Sequence, residues 1–175
     1  DAVIGPLNVA AKYVDEISKG QIPAKITDNY SGDFNTIKNN LNTCIEAVNL
    51  LVADAGKLVD AAVSGRLQTR ADASKHQGDF KKVVDGVNQT LDAVLAPITE
   101  AAGVLEKLSQ RDLRARVTGA YQGDHAKIKD SLNATGEALH DALAQVAEAV
   151  DQVSSASQQI AASSQAVASG ASEQA

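Results

Sequence analysis

The sequence predicts an all-α fold made of three tandem copies of one unit, each read as a helix, a connector and a second helix. The first observation is composition: the 175 residues include no Trp, two Phe and three Tyr, yet 44% are hydrophobic. Apolar surface supplied by Ala, Val, Leu and Ile suits narrow seams between helices better than a thick globular core. The second observation is a block of residues that recurs every 45 or 46 positions, a period typical of repeat architectures.

The recurring block is a Gly-Asp pair that follows a tyrosine or histidine by two residues. The three pairs are Gly32 and Asp33, Gly78 and Asp79, and Gly123 and Asp124. An asparagine stands ten residues after each glycine, at Asn42, Asn88 and Asn133. Each glycine is predicted to supply a flexible turn, and each aspartate an N-cap carboxylate for the free backbone N–H groups of the second helix.

The first helix of each copy carries apolar residues that alternate by three and four positions, which is a seam pattern. These residues are Leu7, Ala10, Val14 and Ile17, then Val52, Ala55, Val59 and Ala62, then Ile98, Ala101, Leu105 and Leu108. Gly20 and Gly65 suit a helix stop. The third copy has Arg111 at this position, so the sequence defines its helix end less clearly.

Each connector carries two apolar side chains four residues apart. The pairs are Ile22 and Ile26, Leu67 and Ala71, and Leu113 and Val117. The same spacing recurs in every copy, so each connector offers two apolar side chains at a fixed distance along the chain.

The second helix has apolar residues at steps of three, four, four and three, as in Phe34, Ile37, Leu41, Ile45 and Val48. Two consecutive steps of four form a stutter, which locally relaxes left-handed supercoiling. The same series continues into the first helix of the next copy, so adjacent copies are predicted to share one fused helix. Pro97 lies at the second junction and is predicted to end or kink the helix there.

From Leu139 onward the apolar pattern becomes a strict heptad, and the seam thins to small and polar residues toward the C-terminus. A sustained heptad predicts a long coiled-coil helix despite the Ser, Ala and Gln-rich composition. The predicted organisation is therefore 1–50, 51–96 and 97–141 for the three copies and 142–175 for the start of the long helix.

Composition and motifs argue against several functional classes. The formal net charge is −6 and the 16 basic residues are dispersed, which disfavours nucleic-acid binding. A single cysteine allows no internal disulfide or thiolate metal site, and no nucleophile–base pair, phosphate loop or His-containing metal motif is present. No run of 18 uncharged apolar residues occurs. The sequence thus predicts no catalytic, metal or cofactor residue and no small-molecule ligand.

These residues resemble tandem HAMP domains that lead into the signalling helix of a bacterial methyl-accepting chemotaxis protein. Pro6 and Pro97 match the proline near the start of the first helix, and the connector pairs match the two family hydrophobics. The Gly-Asp block departs from the acidic motif of membrane-proximal HAMP domains and is similar to variants in tandem arrays. Residues 153–164, Val-Ser-Ser-Ala-Ser-Gln-Gln-Ile-Ala-Ala-Ser-Ser, closely resemble the start of a chemoreceptor's cytoplasmic helix.

The resemblance implies three stacked parallel four-helix bundles formed by a homodimer, in the cytoplasm, with the intact protein either soluble or anchored in the inner membrane. It also implies that the chemotaxis histidine kinase and its coupling protein are partners of the intact receptor, through a region outside this chain. Glu173 falls where the first methyl-accepting glutamate sits. An exposed helix glutamate without that role is the alternative.

We expect the array to relay conformation by alternating between two bundle packings. Copies one and three share the proline and a Tyr-x-Gly-Asp block, whereas copy two has Leu51 and His76 at those positions. His76 and His125 replace aromatic residues of the repeat, which favours a structural role. The alternatives are a passive helical spacer or dimerisation scaffold, the poly-HAMP segment of a sensor histidine kinase, and a periplasmic sensor or enzyme. The last would need a pocket of convergent polar groups, for which the sequence offers no residues.

Overall fold

The computed structural model describes residues 3–173, and within that range it contains helices and no strand. The helices are α1 (Ile4–Ser18), α2 (Gly32–Val63), α3 (Gly78–Ser109) and α4 (Gly123–Glu173), with a 3₁₀ turn at Ala73–Lys75. The all-α prediction is confirmed. No helix described in this range is both long and apolar enough to cross a bilayer. The chain divides into two compact parts, Asp1–Val94 and Leu95–Ala175.

Two of the helices join neighbouring copies of the repeat, as the continuous apolar pattern predicts. Helix α2 has 32 residues and covers the second helix of copy one and the first helix of copy two. Helix α3, also 32 residues long, does the same for copies two and three. Pro97 was predicted to end or kink the helix; it does not end it, because α3 continues through this buried proline to Ser109, and the kink stays a prediction. Proline removes one backbone N–H, and the hydrogen bonds on either side of it keep the helix continuous.

In each copy the two helices run in the same direction. The starts of α1 and α2 face each other around one small cavity, which Pro6, Ala10, Phe34 and Ile37 help to line. Equivalent grooves lie between the end of α2 and the start of α3, and between the end of α3 and the start of α4. Parallel helices need a connector that returns along the whole length of the first helix, so each connector is an extended segment packed on its own helix pair.

The first helix of each copy ends with the same backbone geometry. Gly20 and Gly65 have φ of 77° and 72°, and Arg111 has φ of 70° at the equivalent position. In all three, the residue after this one donates its N–H to a carbonyl five residues back, for example Arg66 to Ala61 at 2.8 Å and Asp112 to Lys107 at 3.0 Å. This is a Schellman ending, which requires a left-handed residue. Copy three therefore ends its helix as the others do, with a non-glycine residue in a strained conformation.

We predict opposite effects of substitution at two of these helix ends. Arg111→Gly should raise the free energy of unfolding by about 1 kcal/mol because it removes the left-handed penalty, and Gly65→Ala should lower it by about the same amount. Urea unfolding followed by circular dichroism measures both changes. Gly56→Ala is the matched control: Gly56 lies inside α2 without a positive φ, so alanine should stabilise there. A stabilising Gly65→Ala would contradict the assignment.

Candidate functional site

The connectors are held to the helices mainly through the second of their two apolar residues. Ile26, Ala71 and Val117 are buried in all three copies. The first apolar residues are less enclosed, with Ile22 and Leu113 half-buried and Leu67 41% exposed. The two apolar residues of each connector are thus unequally buried, and the buried one fixes the position of the connector.

An asparagine of the second helix hydrogen-bonds both backbone groups of each buried connector residue. Asn42 Oδ1 accepts the N–H of Ile26 at 2.8 Å, and Asn42 Nδ2 donates to its carbonyl at 3.0 Å. Asn88 makes the same pair of bonds with Ala71, at 3.1 and 2.8 Å. Asn133 makes it with Val117, at 2.8 and 3.0 Å. We call this pair of bonds the asparagine clip, and it gives the repeated asparagine a structural role.

An ion pair lies beside each asparagine clip. The residue before the buried connector residue is basic, and it pairs with an acid four residues after the asparagine. The pairs are Lys25 with Glu46, Arg70 with Asp92, and Arg116 with Glu137. Because residues four apart share a helix face, clip and ion pair grip the connector from the same side. Arg116 also holds the pKa of Glu137 below its usual range.

The two arginines make contacts that Lys25 does not make. Arg70 Nη1 donates to the carbonyls of Leu67 and Thr69 at 2.8 Å, and Arg116 Nη1 donates to those of Leu113 and Ala115 at 2.6 and 2.9 Å. A planar guanidinium offers several donors in a fixed geometry, whereas an ammonium acts as a point charge. The arginines of copies two and three therefore make hydrogen bonds within their own connectors that copy one lacks, in addition to the ion pair with the second helix.

Gly136 of copy three has no side chain, and the space that a side chain would fill is occupied by Arg116. A Cβ at this buried glycine would stand 3.0 Å from Arg116 Nη1. The equivalent residue in copy one is Ile45, which is buried. At this position copy one buries an isoleucine side chain, whereas copy three packs the Arg116 side chain against the glycine.

The asparagine clip and the ion pair join the connector to the second helix. In copy three, another polar contact joins the connector to the first helix. Glu100 of α3 accepts hydrogen bonds from Tyr121 Oη at 2.6 Å, from the Thr118 N–H at 2.7 Å and from the Gly119 N–H at 3.2 Å. We call this contact the acid latch. Gly119 is required by space, because a Cβ there would lie 2.5 Å from Tyr121 Cζ.

The hydrogen bonds of the acid latch shift the pKa values of both side chains. The Tyr121 hydroxyl, followed by the Thr118 amide, lowers the pKa of Glu100 from 4.5 to about 2. The Tyr121 pKa is raised, chiefly by its hydrogen bond to Glu100. Both shifts favour the ionised carboxylate accepting from the neutral phenol.

Copy two carries a different version of the acid latch. Asp54 stands 46 residues before Glu100, and its Oδ2 lies 2.8 Å from His76 Nε2. His76 is only 5% exposed. The connector here is one residue longer than in the other copies, and the 3₁₀ turn Ala73–Lys75 directly before His76 accommodates the extra residue. Copy two therefore differs from its neighbours in connector length as well as in sequence.

The Gly-Asp pairs stand where the second helices begin, but the aspartates do not cap them. Gly32, Gly78 and Gly123 are the first residues of α2, α3 and α4, with φ between 54° and 57°. Within residues 3–173 no backbone N–H donates to Asp33, Asp79 or Asp124; Asp79 and Asp124 instead pair with lysines three residues on. The left-handed glycine moves the aspartate into the first turn, where its charge favours the N-terminal end of the helix dipole.

Many predicted seam residues are exposed in the single chain. Val52 and Val59 are each 60% exposed and Leu105 is 55% exposed. From Leu143 onward every large apolar residue of the heptad that has a described side chain is also exposed. Pro6 is half-buried and Pro97 buried. Glu173 ends α4, and its side chain lies outside the described residues.

The ion pairs and the acid latch were missed by the sequence reasoning, although the 45- and 46-residue period contains both. Lys25, Arg70 and Arg116 recur at that spacing, and so do Asp54 and Glu100. These charged residues were assigned no role from the sequence because they lie off the apolar seam. In the part of the chain that the structure describes, no group of three or more His, Cys, Asp or Glu side chains is arranged to hold a metal ion.

Comparison with known proteins supports the family resemblance drawn from the sequence. The family described as HAMP domain matches residues 1–50 and 75–141. The methyl-accepting chemotaxis protein McpB of Pseudomonas aeruginosa is 30% identical over 98 residues, which is 56% of this chain and 14% of that protein. The aligned region is therefore a small fraction of the relative's length.

We predict that Asn88→Ala weakens copy two. The substitution leaves the N–H and carbonyl of the buried Ala71 without their partner, at a cost of about 1–3 kcal/mol for each group that water does not reach. Amide hydrogen exchange at Ala71 should accelerate accordingly. Gln89→Ala is the matched control, since Gln89 is the exposed neighbour on the same helix. Equal effects of the two substitutions would show that the clip adds nothing to stability.

We also predict that copy three loses stability in acid through Glu100. Its pKa in the folded chain is about 2, below the ordinary 4.5, so the acid latch contributes fully above pH 4.5. The contribution is lost as pH falls from about 4.5 toward 2. Thermal unfolding midpoints measured across this range should fall less steeply for Glu100→Gln than for the parent chain. Identical pH profiles would contradict the assigned role of the carboxylate.

Proposed function

The chain belongs to the HAMP domain family, and on that premise we propose that it relays conformational change as a homodimer within a chemoreceptor. The input comes from a sensor upstream, and the output passes to the kinase-controlling signalling helix that begins at residues 142–175. The role is non-enzymatic and cytoplasmic. The chemotaxis histidine kinase and its coupling protein are the partners of the intact receptor.

The exposed seams are the observation that carries the homodimer. One chain supplies two parallel helices per copy, and their apolar residues alternate at seam spacing yet remain exposed, as at Val52, Val59 and Leu105. Soluble proteins rarely leave contiguous apolar stripes in water. A second copy carries the same spacing in the same order, so a parallel pairing would cover every seam at once.

The contrast between copies supports alternating packings over a passive spacer. Copy two has a longer connector, a 3₁₀ turn and the buried His76, whereas copies one and three have tyrosines at the same repeat position. A spacer would not need this alternation. A two-state array needs only a few kcal/mol between its packings for an input to shift its output.

The similarity to a methyl-accepting chemotaxis protein supports the chemoreceptor over a sensor histidine kinase. Methylation at Glu173 remains part of the proposal.

The relay and the spacer predict different outcomes for substitution of the connector residues. In the intact receptor, Ile22→Ala, Leu67→Ala or Leu113→Ala should shift the activity of the controlled kinase, because each changes the balance of the two packings. A change of about 1.4 kcal/mol in that balance corresponds to a tenfold shift. Autophosphorylation of the kinase, with purified receptor and coupling protein, measures the effect.

Gln68→Ala is the matched control, because Gln68 is the exposed polar neighbour of Leu67. Light scattering on each variant must give the mass of a dimer for the comparison to count. Unchanged kinase activity in all three dimeric variants would favour the spacer. A monomeric parent chain would reject the homodimer itself.

A further inference from the structure

The acid latch is absent from copy one because its carboxylate stands on a different element. The repeat position of Glu100 and Asp54 is occupied by Val9 in copy one. The Tyr30 hydroxyl, which corresponds to that of Tyr121, donates instead to Asp28 Oδ2 at 3.3 Å. Asp28 belongs to the same connector as Tyr30, so this hydrogen bond does not reach the first helix.

Asp28 occupies the position that Gly119 holds in copy three. At Gly119 a Cβ would collide with Glu100 Oε2, at 2.6 Å, and with the tyrosine ring. In the geometry of copy three, a side chain at this position would therefore clash with the Glu100 carboxylate and with Tyr121. Copy one carries the opposite choice at both positions.

Helix α1 consequently lacks a side-chain link to the rest of its copy. Apart from the ion pair of Lys19 with Asp15 at the helix end, no side-chain hydrogen bond or ion pair among residues 3–173 joins α1 to the connector or to α2. Its contacts are apolar, with Pro6, Val9 and Ala10 near Tyr30 and Phe34. Apolar contacts are non-directional, whereas hydrogen bonds weaken steeply when their geometry changes.

We infer that α1 is the unlatched first helix of the array, which moves against its own connector while the asparagine clip keeps that connector on α2. A displacement of α1 therefore first changes the contact between α1 and its own connector in copy one. In copies two and three, the first helix and the connector move together. The mechanical inference stands on the contacts alone, and its meaning as the receiving end of a relay rests on the proposed function.

The test is to transplant the acid latch into copy one. The variant Val9→Glu with Asp28→Gly places a carboxylate on α1 and the required glycine in the connector, with Tyr30 as hydroxyl donor. Hydrogen exchange of the Thr27 and residue-28 amides, which correspond to the donors Thr118 and Gly119, reports whether the latch forms. Exchange across α1 reports whether the helix is restrained. We expect both to slow by about fivefold or more, the equivalent of one net hydrogen bond.

The matched control adds Tyr30→Phe to the same double variant, which keeps the new carboxylate and glycine but removes the hydroxyl. Its α1 exchange should return toward that of the parent chain. A latch that forms without slowing α1 would overturn the inference. Equal slowing with and without the hydroxyl would overturn it as well.

A reciprocal variant decides the question if the transplanted latch does not form. Glu100→Val should accelerate exchange of the Thr118 and Gly119 amides and of residues 98–109, while residues 51–63 in copy two stay unchanged. If residues 98–109 keep the exchange of the parent chain, the acid latch does not restrain its first helix and the inference fails. None of these measurements involves a kinase, so their failure is distinct from failure of the proposed relay.

Discussion

The bidentate contact between one asparagine side chain and one connector residue is the constraint on which each copy depends. Two parallel helices force the chain to return in an extended connector, and an extended segment outside a sheet has no ladder to pair its backbone groups. Burial of Ile26, Ala71 or Val117 would leave a backbone N–H and a carbonyl without hydrogen-bond partners. A carboxamide offers one donor and one acceptor at the right separation, so a single asparagine satisfies both groups. An apolar residue would leave both unpaired, and a carboxylate would repel the carbonyl.

The helical part of this architecture could be predicted from the sequence because it depends on periodicity. The steps of three and four define the seams, and their continuity across the copies predicts the fused helix α2. Pro97 does not end the helix as its local propensity favours, because neighbouring backbone hydrogen bonds and burial hold the helix through it. Arg111 took the left-handed conformation for a similar reason, since the Schellman bonds on both sides over-determine it.

The polar contacts were harder to predict from the sequence, because the path of the connector decides which residue each polar side chain meets. The spacing of Asn42, Asn88 and Asn133 marked them as repeated, but nothing local indicated that each reaches a residue 16 or 17 positions earlier. The ion pairs lie beside the clip and share its period, so alignment of the copies contained the signal. The Gly-Asp pairs show the opposite case: the motif was recognised, yet the positive φ of the glycine shifts the aspartate from the cap into the first turn.

The contact between connector and first helix differs in kind from copy to copy, whereas two contacts between connector and second helix recur in all three. The clip and the ion pair are present three times. The first-helix contact is a glutamate with tyrosine, an aspartate with histidine, or valine with the hydroxyl turned to the connector. A device that changes packing needs one rigid body and one adjustable joint, since a densely packed core has discrete arrangements and does not deform continuously. In the relay that we propose, the connector and second helix supply the rigid body. The adjustable joint of that proposed relay is the seam with the first helix, where the polar contact sets how firmly each copy holds one arrangement.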